Sequence, residues 1–134
     1  MTENTTATET DVITKLSHLS VADTVSKFTG MLSAKGVRLF NVIDQAAEAR
    51  QAGLTLRDTV LVIFGNPAAG TPVMAASPLS ALDLPLKVLI WSDNRQTKVS
   101  YYAPAALAAR WNLSPELAGN LAAINGLTDA LVAS

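Results

Sequence analysis

The 134-residue chain has no cysteine. That excludes disulfides, thiolate metal sites and cysteine nucleophiles, and it fits a reducing compartment. Histidine is nearly absent too, with His18 the single copy. A zinc site built on it would need several carboxylates to complete the ligand set. A Ser-His-Asp triad would have to recruit it from near the chain start, with no Gly-x-Ser-x-Gly elbow to support it. Charge is scarce: 16% of residues are charged, the net charge is −1, and the ten basic residues are scattered singly. No Lys/Arg cluster exists to neutralise a row of phosphates, so nucleic acid is not the expected partner. No apolar run approaches the ~18 residues that a membrane span needs. Residues 1–10 are Thr/Glu-rich, without the basic and apolar regions of a signal peptide. They read as a flexible tail preceding one domain, residues 11–134, with the cytoplasm as the default location. Gly65 to Gly70 lacks the Gly-Lys-Ser/Thr ending of a phosphate loop, and no Gly-x-Gly-x-x-Gly occurs.

What is present is apolar. At 49% hydrophobic residues the chain can bury a proper core. Val12 to Leu16 is a β-branched run that predicts a first strand. Ser20 is an N-cap, and Val21, Val25, Phe28 and Leu32 repeat at helical spacing until Gly36 stops the helix. Val37 to Ile43 predicts a second strand with both faces partly covered. Asp44 to Ala52, closed by Gly53, suits a short helix. Val60 to Phe64 is a continuous apolar run, the pattern of a strand buried on both sides. Asn66 to Asp83 carries three prolines and a glycine, so it is not one element, and a helical turn is expected near Thr71 to Ala76 with Pro72 at its start. Leu86 to Trp91 and Thr97 to Tyr102 form a hairpin about Asp93-Asn94. Ala105 to Trp111 is a short helix after Pro104. Ser114-Pro115-Glu116 opens a last helix whose Leu117, Leu121, Ile124, Leu127 and Leu131 make a core stripe, with Asn125-Gly126 as its weak point. The order predicts an α+β domain, β-α-β(4)-α, with one mostly antiparallel sheet and two main helices on one face.

The candidate chemistry clusters at strand ends. Asn66 and Thr71 flank the Pro-containing loop after Phe64, where Gly65 and Gly70 permit close backbone approach. Read for function, they form a small polar pocket; read for structure, they form a turn. Lys87 interrupts an apolar strand, either as a reactive or anion-binding amine or as a stem-packed lysine paired with Asp83 or Asp44. Asp44 and Asp83 do acid/base or cation work if paired in space, and capping if apart. Trp91, Tyr101 and Tyr102 line a pocket, a dimer face or an ordinary sheet surface.

Phe64-Gly65-Asn66-Pro67, Gly70-Thr71, Asp83-Leu84-Pro85-Leu86-Lys87, Ile43-Asp44 with Ala46 and Ala49, and Tyr101-Tyr102-Ala103-Pro104 with Leu107-Ala108 resemble the family catalogued as domain of unknown function 302. The resemblance spans roughly residues 12–131. It implies a small β-α-β(4)-α domain, usually alone on its chain and often dimeric, with no agreed reaction. Members commonly carry histidine after the aspartate that Asp44 matches; here that residue is Gln45, which hydrogen-bonds but does not titrate near neutrality.

These readings favour a homodimeric binding module holding a small polar or anionic ligand at Asp44, Asn66, Thr71, Asp83 and Lys87. The alternatives are an enzyme using Lys87 or Asp44 as acid/base, and a ligand-free interaction subunit. The sequence names no cofactor, no metal and no catalytic residue.

Overall fold

The computed structural model describes residues 11–133, so the expected tail at residues 1–10 lies outside the described residues. In chain order the elements are β1 (Val12–Ser17), α1 (Val21–Ala34), β2 (Arg38–Asp44), α2 (Gln45–Gln51), β3 (Thr59–Gly65) and α3 (Pro67–Ala76). A short 3-10 helix (Pro78–Leu82) follows, then β4 (Leu86–Asp93), β5 (Gln96–Tyr102), α4 (Pro104–Arg110), α5 (Pro115–Gly119) and α6 (Ala123–Val132). The five strands form one sheet in the order β1-β5-β4-β3-β2. Every neighbouring pair is antiparallel. The α+β class is as expected, and α1 and α6 pack on one face of the sheet.

Local chemistry sets the element ends. The Ser20 hydroxyl accepts the Asp23 N–H at 3.0 Å and starts α1. At its other end Gly36 takes φ +69, and the N–H groups of Gly36 and Val37 bond the Ser33 and Leu32 carbonyls. Those two bonds satisfy carbonyls that the helix leaves without partners. Gly53 closes α2 the same way, with φ +78. The β4–β5 hairpin turns on Asn94 and Arg95, both at positive φ, one residue later than Asp93-Asn94. Two positive-φ residues match the right-handed twist of the flanking strands, which is why a hairpin accepts the cost at Arg95.

Three expectations change. The helix after β3 begins at Pro67, because Asn66 caps it and Pro67 fills the N1 position; Pro72 lies inside the helix and not at its start. The last helix is broken. Residues 120–122 form a turn held by i to i+3 bonds between α5 and α6, upstream of the weak point expected at Asn125-Gly126. Gly119 and Asn120 are poor helix formers, and the Asn120 side-chain amide donates to the Ala69 carbonyl at 3.1 Å instead of facing solvent. Finally β2 is an exposed edge strand, not a partly covered one. Its register shifts between Leu39 and Asn41, and Leu39, Phe40 and Val42 are about two-fifths exposed (42%, 43% and 37%).

The main core lies between the sheet and the α1/α6 layer. Phe28, Leu32, Ile124, Leu127 and Leu131 meet Val62, Phe64, Val88, Ile90 and Val99. The Phe28 and Phe64 rings meet edge to face, with centroids 5.2 Å apart. A second cluster joins Val73 of α3, Leu107 of α4 and Leu121 of the turn. Polar bonds also tie α6 to the sheet. Lys15 on β1 donates to the Thr128 hydroxyl at 2.7 Å and the Asn125 carbonyl at 3.2 Å, and pairs with Asp129 at 2.7 Å. The Tyr101 hydroxyl donates to the Asn125 side chain at 2.9 Å, and the Lys15 ammonium lies over the Tyr101 ring.

Burial opposes the Lys15 charge, but Asp129 and Tyr101 outweigh it and hold the ammonium above the ordinary lysine value. A raised folded value gives stability that is complete below the ordinary value and lost as pH climbs through the folded one. Lys15→Met is therefore expected to cost about 1 kcal/mol at neutral pH, mostly through the Thr128 and Asn125 bonds, since Asp129 is exposed. Urea titrations should show the difference between wild type and variant constant below 10.5 and shrinking above it.

Candidate functional site

The five candidate residues do not form one constellation. Asp44 ends β2 opposite Val60, while Asn66 follows Gly65, the partner of Arg38 at the other end of that ladder. Five residues of strand separate the two ends, roughly 17 Å. Asp44 is the N-cap of α2, accepting the Ala47 N–H at 3.0 Å. Gln45 is the first residue of that helix and is exposed. Asp83 accepts the Trp111 indole N–H at 2.7 Å and the Arg110 guanidinium at 2.8 Å, all on one carboxylate oxygen. It clamps α4 to the end of the 3-10 helix. Lys87 donates to the Pro85 carbonyl at 3.2 Å and faces away from the main core, across from Ile63. Neither Asp83 nor Asp44 forms an ion pair with it. His18 is exposed, and among the described residues no group of three or more His, Asp and Glu side chains is placed to hold a metal.

Asn66 and Thr71 do share a site. They line a cavity of about 290 Å³ at the end of β3. Its position follows from the chain's punctuation. Gly65 ends the strand, and the Asn66 side chain accepts the Ala68 N–H at 3.0 Å and starts α3. That turns α3 away from the sheet, so Val73 packs into the second cluster. The main cluster supplies Phe64 and Ile124 to the cavity wall, and the second supplies Leu84, Leu86 and Leu121. The cavity thus lies at the seam between two cores that touch through Leu86. Phe40 and Val37 close it on the β2 side, and the Leu84–Pro85 peptide beside it is cis.

The break between α5 and α6 forms another wall through Asn120 and Ala123. A continuous helix would carry Asn120 along its axis and forfeit its bond to α3. Sequence reasoning missed Asn120, and the signal was available: Gly-Asn within an otherwise apolar-periodic helix.

Chemically the cavity is apolar with few polar groups. Asn66, Thr71 and Asn120 are its polar side chains, and no charged side chain lines it. Gly65 and Gly70 are not forced by backbone angle or crowding. A Cβ on Gly65 would lie 3.5 Å from Pro85, and one on Gly70 would lie 3.9 Å from Met74, both ordinary contacts. Both glycines line the cavity. The walls suit an apolar body with one hydrogen-bonding end, and offer no counter-charge to a bare anion.

Comparison with known proteins gives the family. The family model described as Domain of unknown function DUF302 matches residues 12–131, and the chain belongs to that family. The crystal structure of an uncharacterized conserved DUF302 protein from Bacillus stearothermophilus has a similar fold, with TM-score 0.77. The match covers 91% of this chain and 95% of that one at 20% identity, a likeness of fold alone. The chain is also 36% identical over 106 residues to Fluoride-specific ion channel FluC 1 of Brucella suis biovar 1 and to FluC 2 of Brucella melitensis biotype 1. Each alignment takes in 78% of this chain but only 42% and 39% of those proteins, so the chain spans less than half of their length.

The Asp83 clamp makes a separate prediction. Asp83→Ala leaves the Trp111 and Arg110 donors without their acceptor and is expected to cost about 2 kcal/mol in urea unfolding. Asp83→Asn keeps an acceptor and should recover part of that loss. Asp44→Ala removes only a helix cap and should cost about 1 kcal/mol.

Proposed function

We propose that this DUF302 chain is a binding module for a small, mostly apolar molecule with one polar, uncharged end. The observation that carries the reading is the cavity of about 290 Å³ between the two cores, with apolar walls and the Asn66, Thr71 and Asn120 side chains on its lining. That volume sits near the lower end of small-molecule sites, about 300–1,000 Å³. The apolar walls supply affinity by taking ligand surface out of water, and the few polar groups fix orientation. This reading departs from the polar or anionic ligand expected at Asp44, Asn66, Thr71, Asp83 and Lys87. Asp83 and Lys87 stand outside the cavity, so nothing cationic supports an anion there.

An enzyme using Asp44 and Lys87 gains no support from the geometry. Asp44 caps a helix at the far end of β2, and Lys87 bonds a carbonyl. Fluoride transport, the activity in the names of the Brucella relatives, is not carried over. The shared stretch is under half of their length, and among the described residues no helix is long and apolar enough to cross a membrane. The cysteine-free composition supports a reducing, cytoplasmic setting.

Homologous series of n-alkanols and n-alkanoates test the reading by thermal shift. A ligand that binds only the folded state raises the midpoint with concentration. The alkanols should stabilise the protein increasingly with chain length, up to the length that fills the cavity. The alkanoates should do so less, because their charge finds no partner. Thr71→Val should weaken alkanol binding several-fold and leave the fold intact. Gly70→Ala, within helix α3, should raise stability by about 0.5 kcal/mol while shortening the longest alkanol accepted. Stabilisation that is independent of chain length, or unchanged by Gly70→Ala, would count against the cavity as the site.

A further inference from the structure

One wall of the cavity differs from the rest. Phe64, Leu121 and Ile124 are almost wholly buried and belong to the two clusters. Among the described residues that line the cavity, Phe40 alone is a large apolar side chain left exposed, at 43%. Its backbone is held on one side only. β2 is an edge strand, paired with β3 and with no strand beyond it. The register runs from Leu39 opposite Phe64 to Asn41 opposite Ile63, so Phe40 is the extra residue and has no partner across the ladder. Bulges of this kind interrupt the pairing and re-aim a side chain, and they recur at sheet edges beside functional sites.

The contacts of the ring leave it free to turn. It rests against Gly65, where a Cβ would lie 3.7 Å from Phe40 Cε1. A glycine offers no side chain to interlock with the ring. Arg38 holds it from another direction, with its guanidinium carbon 4.8 Å from the ring centroid. Arg38 is exposed and does not line the cavity. An exposed cation–π contact is weak, so it favours the closed position of the ring without fixing it. Neither hydrophobic cluster contains Phe40, so the ring can swing outward without opening a core.

We propose that Phe40 is the specificity-determining residue of the cavity. Its ring is the movable wall past which an apolar ligand enters, and its bulk sets the width of ligand accepted. The inference rests on the binding-module reading above and adds the residue that controls access. With the ring against Gly65, ligand surface is taken out of water. With the ring turned out, the cavity opens on the β2 side. A structural role is the competing account, in which the ring only shields a glycine at the end of a neighbouring strand. That role changes stability when Phe40 is replaced, but not the rates or the size limit of binding.

Nuclear magnetic resonance line shapes of the labelled full chain, titrated with 1-hexanol and with the bulky 1-adamantanol, separate the two. Phe40→Ala should raise the association and dissociation rates of 1-hexanol at least several-fold and admit 1-adamantanol, which the wild type excludes. Phe40→Trp should slow both rates. Arg38→Ala, which leaves the cavity walls intact, should raise both rates about two- to five-fold with their ratio unchanged, the range an exposed cation–π contact supports. Arg38→Lys should restore part of the wild-type behaviour. Should Phe40→Ala fail to fold, Phe40→Leu and Arg38→Ala carry the test. Wild-type rates and the wild-type size limit in the Phe40 and Arg38 variants, with 1-hexanol still bound, would overturn the gate and leave the cavity reading standing. A wild type that binds no 1-hexanol would overturn both.

Discussion

A single constraint organises this molecule. Its central strands are apolar on both sides, and its long helices cover only one. Alternation along β3 puts Val62 and Phe64 against α1 and α6, and leaves Leu61 and Ile63 on the bare side. Burying the covered side supplies most of the fold's driving force, since apolar side chains of this size contribute about 1.5–3 kcal/mol each when fully buried. The polar ties between β1 and α6, centred on Lys15 and Tyr101, fix where the last helix lies on that layer. Everything else is built around the edge of the helical layer.

The cavity is one consequence. The α1/α6 layer stops near Phe64, where the chain leaves the sheet through Gly65, Asn66 and Pro67 and founds a second core around Val73. Two cores joined mainly through Leu86 leave a seam. The α5–α6 turn lies along it, and Asn120 spans to α3. Had the last helix run unbroken, the stripe from Leu117 to Leu131 would have served one core. Broken at residues 120–122, it serves both, with Leu121 in one cluster and Ile124 in the other. The apolar lining follows from its origin: the walls are the margins of two hydrophobic clusters.

Much of this was legible in the residues. Strand and helix identities followed from β-branching, the Ser20 and Ser114 caps, and the stops at Gly36 and Gly53, because those signals are local. The family resemblance followed from spaced motifs, and residues 12–131 match its model. The location of a cavity beside Asn66 and Thr71 was also within reach, since a glycine, a capping asparagine and a proline at a strand end redirect the chain. What stayed hidden was non-local. Asp83 looked like a partner for Lys87, yet its partners are Arg110 and Trp111, nearly thirty residues away. Asp44 looked available for chemistry, yet the helix it caps consumes its carboxylate. The break at Asn120 depends on a carbonyl contributed by α3. Lys15, inside the run that predicts the first strand, is a joint between sheet and helix.

The cavity beside Asn66 and Thr71 is the feature on which the functional reading stands. Nuclear magnetic resonance titration of labelled protein with a medium-chain n-alkanol tests it most directly, because shifts report where the ligand sits. The account predicts saturable shifts concentrated at Phe64, Thr71, Met74, Leu86 and Ile124, which line the cavity. Shifts confined to the exposed β2 edge, or none at all, would contradict it.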